Sequence, residues 1–327
     1  MIHMLRFYAA DAVHAALDAP RLVAALERAF REGAQVPLRH VHRLGGNDTG
    51  RNDTGSNDSL LLMPAWRDAQ PGTAGALGVK IVTVMPGAVA HGGSTVAALY
   101  VLLDRTTGEP RAVIDGEALT QRRTAAASAL AARYMARADA STLLVVGTGK
   151  LAPYMLRAHC ALRPQLVRLR LWGRNAAATQ AQVQALRAEG LAVEVASDLQ
   201  AAVRESHIIC CATTATTPVV HGDWLSPGTH LDLVGGFTRG MREVDDAAVA
   251  RARIVVDTYA GALAEAGDLV VPLETGVITR ERIVAELGEL VRGERDGRSG
   301  AEEITLFKSV GTALEDLAAA ELVAVSG

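Results

Sequence analysis

From Thr142 onward the chain alternates between two kinds of segment. Short apolar runs, TLLVVG, LVRLRLWG, LAVEVA, HIICCAT, HLDLVG and RIVVDT, are separated by stretches with helical spacing, first Lys150 to Leu162 and then Ala176 to Glu189. A strand that is apolar along its whole length is covered on both faces, and parallel neighbours need a crossover, usually a helix. The rhythm therefore predicts an α/β unit, a parallel sheet with helices on both sides.

The first of these strands stops on Gly147, Thr148 and Gly149, and Ala152 follows three residues later. Two glycines let the backbone turn tightly and approach a phosphate, while the next helix offers free N–H groups and the positive end of its dipole. Ala152 occupies the third small position of the G-x-G-x-x-G/A fingerprint, where helix and strand pack closely. The pattern alone is weak; its place between a buried strand and a helix gives it weight. A tight turn with no ligand is the competing reading, and a dinucleotide site is preferred over it.

The second strand ends on Gly173, Arg174 and Asn175. NAD-selective sites carry an acid at this place to bind the ribose 2′-OH. A cation attracts the 2′-phosphate that an acid repels, and the guanidinium fork suits a phosphate. One such contact, about 1.5–3 kcal/mol, gives roughly a ten- to hundredfold preference. NADPH is expected over NADH, with a solvated arginine at a strand end as the plainer alternative.

Residues before Thr142 read differently. MIHMLRFYAADAVHAAL looks like a strand leading into a helix, and the periodic stretch that continues to Ala34 holds Pro20, which can interrupt or restart it. SLLLMP, LGVKIVTVMP, VAALYVLLD and PRAVIDG are strand-like runs separated by turn residues, which suggests a mostly antiparallel sheet. ALTQRRTAAASALAARYMA follows as a strong Ala-rich helix. Between Gly45 and Ser59 lies an imperfect Asn-Asp-Thr-Gly repeat with nothing to bury, expected to be an exposed loop. Its sequons at Asn47, Asn52 and Asn57 are chance matches without an export signal, and its aspartates lack the fixed spacing of a calcium loop.

Composition excludes several function classes. A chain of 327 residues with net charge −3 and no Lys/Arg block has no nucleic-acid footprint. No apolar stretch spans a bilayer, and no segment pairs a basic start with an apolar run and a cleavage site, so a cytoplasmic protein is expected. Cys160, Cys210 and Cys211 lack disulfide-framework or CxxC spacing and read as buried small hydrophobes. No His/Cys/Asp cluster has metal-ligand spacing, so no metal is expected.

Taken together, VPLRHVHRL, LLMPAW, LGVKIVTVMPG, LTQRRTAAASALAA, VVGTGKLA, LWGRN, PGTHLDLVGGFTRGMREVDD and ITLFKSVGTALEDLAAA resemble the ornithine cyclodeaminase/mu-crystallin family, in the family's order and over nearly the whole chain. The resemblance implies a homodimer. It also implies a Rossmann domain, here residues 121–304, inserted between the N- and C-terminal parts of an α+β substrate-binding and dimerisation domain, residues 1–120 and 305–327. Arg39, Lys80 and Arg123 match the family's substrate-carboxylate residues, with Arg122 the adjacent competitor for Arg123. The chemistry agrees, since an α-imino or α-amino acid needs cations at its carboxylate and a bidentate arginine adds direction. Lys80 lies in an apolar run where an unpaired ammonium is costly, which makes an anion its natural partner. Thr124 matches a position that contacts the cofactor's phosphates. Thr213, at a strand's C-terminal end, is placed to touch the cofactor, and Lys308 in LFKSVG is a further candidate from the tail.

Two departures bear on the reaction. Cyclodeaminases carry an acid two residues before the Met-Pro pair and a catalytic aspartate directly after the Gly-Gly of the VGG strand end; here those residues are Leu61 and Phe237. Neither can act as the base that amine cyclisation requires. Asp232 sits five positions from Phe237, so strand alternation points it to the opposite face, and a structural role is expected. Reducing a protonated ketimine asks less: hold the carboxylate, aim the carbon at the nicotinamide and exclude water. DLVGGFTRGMREVDD also looks most like the family's bacterial Δ1-pyrroline-2-carboxylate/Δ1-piperideine-2-carboxylate reductases, although Arg239 stands where their usual sequence has proline. The expected activity is NADPH-dependent ketimine reduction to L-proline or L-pipecolate, with Lys80 near the reacting centre. Ornithine cyclodeamination, alanine or opine-type dehydrogenation, and crystallin-type binding of NADPH and a small carboxylate are the alternatives. His91 reads as a loop residue and His207 as packed.

Overall fold

The computed structural model describes residues 5–44, 58–69 and 75–326. The repeat between Gly45 and Ser59, with its sequons at Asn47, Asn52 and Asn57, lies outside the described residues except for Asp58 and Ser59. Two compact units are formed, residues 1–123 with 312–327, and residues 124–311.

The first unit is built on a six-stranded sheet of β1 (Arg6–Tyr8), β2 (His40–Arg43), β3 (Ser59–Arg67), β4 (Ala76–Val84), β5 (Val96–Asp104) and β6 (Pro110–Asp115), in the order β1-β6-β5-β4-β3-β2. Only β1 pairs parallel, with β6; the other neighbours are antiparallel, as the turn-separated runs predicted. Pro20 restarts the helix rather than kinking it: one helix ends at Ala16, and Ala19–Glu32 begins with Pro20 in its first turn and Asp18 capping the Arg21 N–H at 3.0 Å. Strand alternation divides the sheet into two faces. Met63, Lys80, Val82, Tyr100 and Ile114 are buried on one, where the terminal helix Ala313–Ser326 packs over β3, β4 and β5. All residues of that helix from Ala313 to Ala320 are buried, Glu315 and Asp316 among them. On the other face Phe7, Leu62, Val79, Ile81 and Val101 stay half-buried or exposed.

The second unit holds eight parallel strands: β7 (Thr142–Val146), β8 (Arg168–Trp172), β9 (Val193–Val195), β10 (Ile208–Cys211), β11 (His230–Leu233), β12 (Arg253–Val256), β13 (Ile283–Glu286) and β14 (Thr305–Lys308). Their order is β13-β12-β14-β11-β10-β7-β8-β9. Six of them are the predicted apolar runs. β14, assigned from sequence to the start of the returning tail, is instead an inner strand of this sheet between β11 and β12. The chain runs outward from β7 through β8 to β9 and then returns to β10 on β7's other side, so the strand order reverses at β7. In open α/β sheets that reversal opens a crevice beyond the strands' C-terminal ends, where ligands bind. The helix Gly116–Met135 contains the division between the units, which falls after Arg123. No helix among the described residues is long and apolar enough to cross a membrane.

Candidate functional site

In the first unit the fold gathers the predicted cations around acids from the terminal helix. Lys80, at the centre of β4, points to the covered face, and its Nζ lies 2.9 Å from Asp316 Oδ1. Arg123 donates through Nε to Asp316 Oδ1 at 3.0 Å and through a terminal nitrogen to Glu315 at 2.7 Å. Arg39 is near enough that its charge acts on both Lys80 and Asp316. Arg122 faces elsewhere, donating to the His14 ring at 3.2 Å and the His14 carbonyl at 3.0 Å, which separates it from Arg123. Burial lowers the Lys80 pKa to about 8 against the pull of Asp316, and the charges of Arg123 and Arg39 push the same way as burial. Burial acts to raise Asp316, but Lys80 and Arg123 outweigh it and hold that carboxyl below its usual range.

Lys80 and Arg123 are thus fixed by two carboxylates, with the half-buried Arg39 close by. The gathered cations attract an anion, and the arginine forks can give a small carboxylate directional donors. Leu61 lies on this same face, opposite Val82 and two residues from Met63, which pairs with Lys80. The place where cyclodeaminases carry their first acid is therefore beside Lys80 here and is apolar. Sequence reasoning found the cations and missed Glu315 and Asp316, although two adjacent acids in so apolar a helix were a signal.

In the second unit the Gly147–Thr148–Gly149 turn follows β7 at the strand reversal. Gly147 has φ +117°, and a Cβ there would lie 2.5 Å from the Ala212 carbonyl oxygen, so only glycine fits. A Cβ on Gly149 would meet nothing within 4 Å. Packing therefore does not demand that glycine, and the open space beside it would let a phosphate approach the backbone closely. The helix begins at Ala152, two residues later than expected, with Pro153 in its first turn and no side-chain cap. The Ala152 and Tyr154 N–H groups already meet the Gly149 and Leu151 carbonyls, so the turn before the helix is the part that would meet an anion. These features fit a dinucleotide's pyrophosphate. Arg174 is exposed just past β8 and makes no hydrogen bond or ion pair among the described residues. The Asn175 side-chain oxygen is engaged locally, capping the helix Ala176–Ala188 by accepting from Ala178 N–H at 3.0 Å. Thr124 is buried on the helix after Arg123.

Thr213 and Lys308 belong to a buried acidic network. Glu243 accepts from the Thr213 N–H at 2.8 Å and hydroxyl at 2.9 Å, and from the Gly235 and Gly236 N–H groups at 2.8 and 3.2 Å. Lys308 is buried, its Nζ donating to Asp268 Oδ2 at 3.0 Å and lying 3.9 Å from Glu243. Phe237, at the second cyclodeaminase acid position, follows the Gly-Gly pair and is partly exposed. Arg239, in the proline position, pairs with Glu274. His91 is exposed, and His207 is fixed by Thr142 at 3.0 Å at the opposite, N-terminal end of the strands.

Residues far apart in sequence also form a buried trio, His159, Cys210 and Asp232, with ligand atoms within 4.8 Å of one another. Cys210 Sγ is 3.3 Å and Asp232 Oδ2 3.5 Å from His159 Nε2, while Ser128 donates to Asp232 Oδ1 at 3.1 Å. Asp232 is thereby held inside the core.

A model of the ornithine cyclodeaminase/mu-crystallin family matches residues 7–326. The chain is 34% identical to a Δ1-pyrroline-2-carboxylate reductase of Colwellia psychrerythraea over 98% of both chains. Its fold is similar to that of the Thermococcus litoralis Δ1-pyrroline-2-carboxylate reductase solved with NADH and L-proline, with TM-score 0.88 and 33% identity over 98% of this chain and 97% of that one. It is also similar to an archaeal alanine dehydrogenase dimer with bound NAD, with TM-score 0.87 and 29% identity over 98% and 95% of the two chains.

Proposed function

The chain belongs to the ornithine cyclodeaminase/mu-crystallin family, and from that premise we propose that it reduces a cyclic ketimine acid, Δ1-pyrroline-2-carboxylate or Δ1-piperideine-2-carboxylate, to L-proline or L-pipecolate. The observation that carries this reading is the gathering of Arg39, Lys80 and Arg123 beside an apolar Leu61. The cations suit a small carboxylate, Leu61 cannot act as the base for cyclising an amine, and Asp316 and Glu315 are bound to Lys80 and Arg123. Arg123 and Arg39 hold the carboxylate. Lys80, with a pKa near 8, is protonated at neutral pH and acts as proton donor to the imine nitrogen, making the adjacent carbon electrophilic. A nicotinamide nucleotide, when bound at the Gly147–Gly149 turn, would supply the hydride for this carbon. The similar reductase and alanine dehydrogenase hold NADH and NAD, whereas NADPH is proposed here because exposed Arg174 suits a 2′-phosphate.

The deciding experiment follows NADPH absorbance with Δ1-pyrroline-2-carboxylate. Oxidation is expected; tight binding without oxidation points to a carrier, and ammonia release from ornithine with NAD points to a cyclodeaminase. Likeness to the archaeal alanine dehydrogenase favours an acyclic imino acid as the second reading, separated by supplying pyruvate with ammonia.

We also propose a homodimer, in the cytoplasm. The uncovered face of the six-stranded sheet, with Leu62, Val79, Ile81 and Val101, is a contiguous apolar surface of the kind that marks an interface. Ile81→Glu is expected to give a monomer by light scattering; an unchanged mass would remove the face from consideration.

A further inference from the structure

The reading above leaves unused a carboxylate of the second unit that accepts four hydrogen bonds. Glu243 is fully buried, and its acceptors join two loops that leave neighbouring strands: Thr213 beyond β10, and Gly235 with Gly236 beyond β11. Asp268 holds the Glu243 backbone N–H at 2.7 Å and the Val244 N–H at 3.2 Å, so the carboxylate's own segment is fixed as well. The contacts are close enough to dictate residue type. A Cβ on Gly235 would lie 2.1 Å from the Thr213 carbonyl oxygen and 2.4 Å from Glu243 Oε1, and one on Gly236 would lie 2.9 Å from Asp268 Oδ2. The phosphate turn rests on the same stack, because a Cβ on Gly147 would be 3.2 Å from Thr213 Cγ2.

We propose that Glu243, anchored by Lys308 and Asp268, is the positioning residue that holds the Thr213 loop and the Gly235–Gly236 loop in the shape that binds the nicotinamide nucleotide. The inference rests on the reading that the nucleotide lies beyond the C-terminal ends of β7, β10 and β11. Three of the four groups facing Glu243 are backbone N–H donors that cannot accept, and only the Thr213 hydroxyl could, so the full set of bonds requires the ionised form. Protonation would weaken the hold of the carboxylate on these N–H groups, in a buried site where an unmade hydrogen bond is costly. Burial raises the Glu243 pKa to about 7; Lys308 pulls it down and Asp268 pushes it up. The groups facing the network are Lys308 from β14, Asp268 from the helix Gly267–Glu274, Cys211 from β10, whose thiol burial keeps protonated, and Asp257, whose charge reaches Lys308. Nucleotide affinity is therefore expected to fall as pH drops through about 7.

The test is NADPH titration by fluorescence between about pH 5.5 and 8.5 on the wild type, Glu243→Gln, Glu243→Asp and Arg174→Ala, with kcat measured alongside. The wild type is expected to show the affinity step. Glu243→Gln should bind about tenfold or more weakly at pH 8 with no step, and Glu243→Asp should recover part of both. Arg174→Ala should weaken binding at every pH and keep the step. Should Glu243→Gln not fold, Lys308→Met serves in its place: without the cation that pulls Glu243 down, the step moves to higher pH. A folded Glu243→Gln with wild-type affinity and step, or an unmoved step in Lys308→Met, overturns the proposal. A wild type that binds no nicotinamide nucleotide at any pH sinks the functional reading and this inference with it.

Discussion

Each unit buries a cluster of charges, and the two clusters are completed differently. Around Asp316 the acids bond the side chains of Lys80 and Arg123; around Lys308 two carboxylates face one ammonium. The second cluster is completed internally, because Glu243 and Asp268 together accept from the backbone N–H groups of Thr213, Gly235, Gly236, Glu243 and Val244. Backbone donors are fixed dipoles, so an acidic surplus met by them turns into loop geometry. In the first cluster Asp316 and Glu315 bond cationic side chains, which under the proposed function also meet the substrate's carboxylate. One cluster is suited to shape a site and the other to recognise a ligand.

The comparison can be broken most forcefully at Arg123. Removing it leaves Glu315 and Asp316 buried with one fewer cation, and losing one partner of a buried pair costs about 3–5 kcal/mol. Arg123→Ala is expected to lower kcat/KM roughly a hundredfold or more and to lower the melting temperature. A stable variant with unimpaired turnover would mean that the first cluster serves only packing.

Lys80 sharpens the contrast through pH. Its folded pKa lies below the usual lysine value, so the protonated form is lost as pH rises through about 8. The rate should fall above that pH in the wild type, and Lys80→Met should show a lower rate without that limb. Persistence of the limb in Lys80→Met would assign the proton to another group. Arg174→Ala should cut the preference for NADPH over NADH by roughly ten- to hundredfold, with little change in stability. Asn175→Ala should have the smallest effect, about 1 kcal/mol of stability from the lost helix cap, read as a modest melting shift. An unchanged cofactor ratio in Asn175→Ala would mark it as a cap alone.

The class of the fold was legible because parallel strands are apolar on both faces and leave an unmistakable rhythm. The placement of β14 was not. TLFK reads as a strand, but its partners are set by pairing with residues about 50 to 75 positions earlier, which no local pattern encodes. The first cluster was half legible. Arg39, Lys80 and Arg123 stand out because family position and chemistry agree, whereas Glu315 and Asp316 look like surface charge until the helix carrying them is seen buried on all sides. Glu243 left still less trace, since its partners are backbone N–H groups, which every residue but proline possesses.

The inner position of β14 has a consequence for synthesis. Residues 230–233 and 253–256 leave the ribosome before 305–308, so β11 and β12 each wait with one bare edge for the segment that joins them. A nascent chain arrested near residue 300 would hold a split sheet with two adhesive margins, and should be cleared or clump rather than accumulate as a working half.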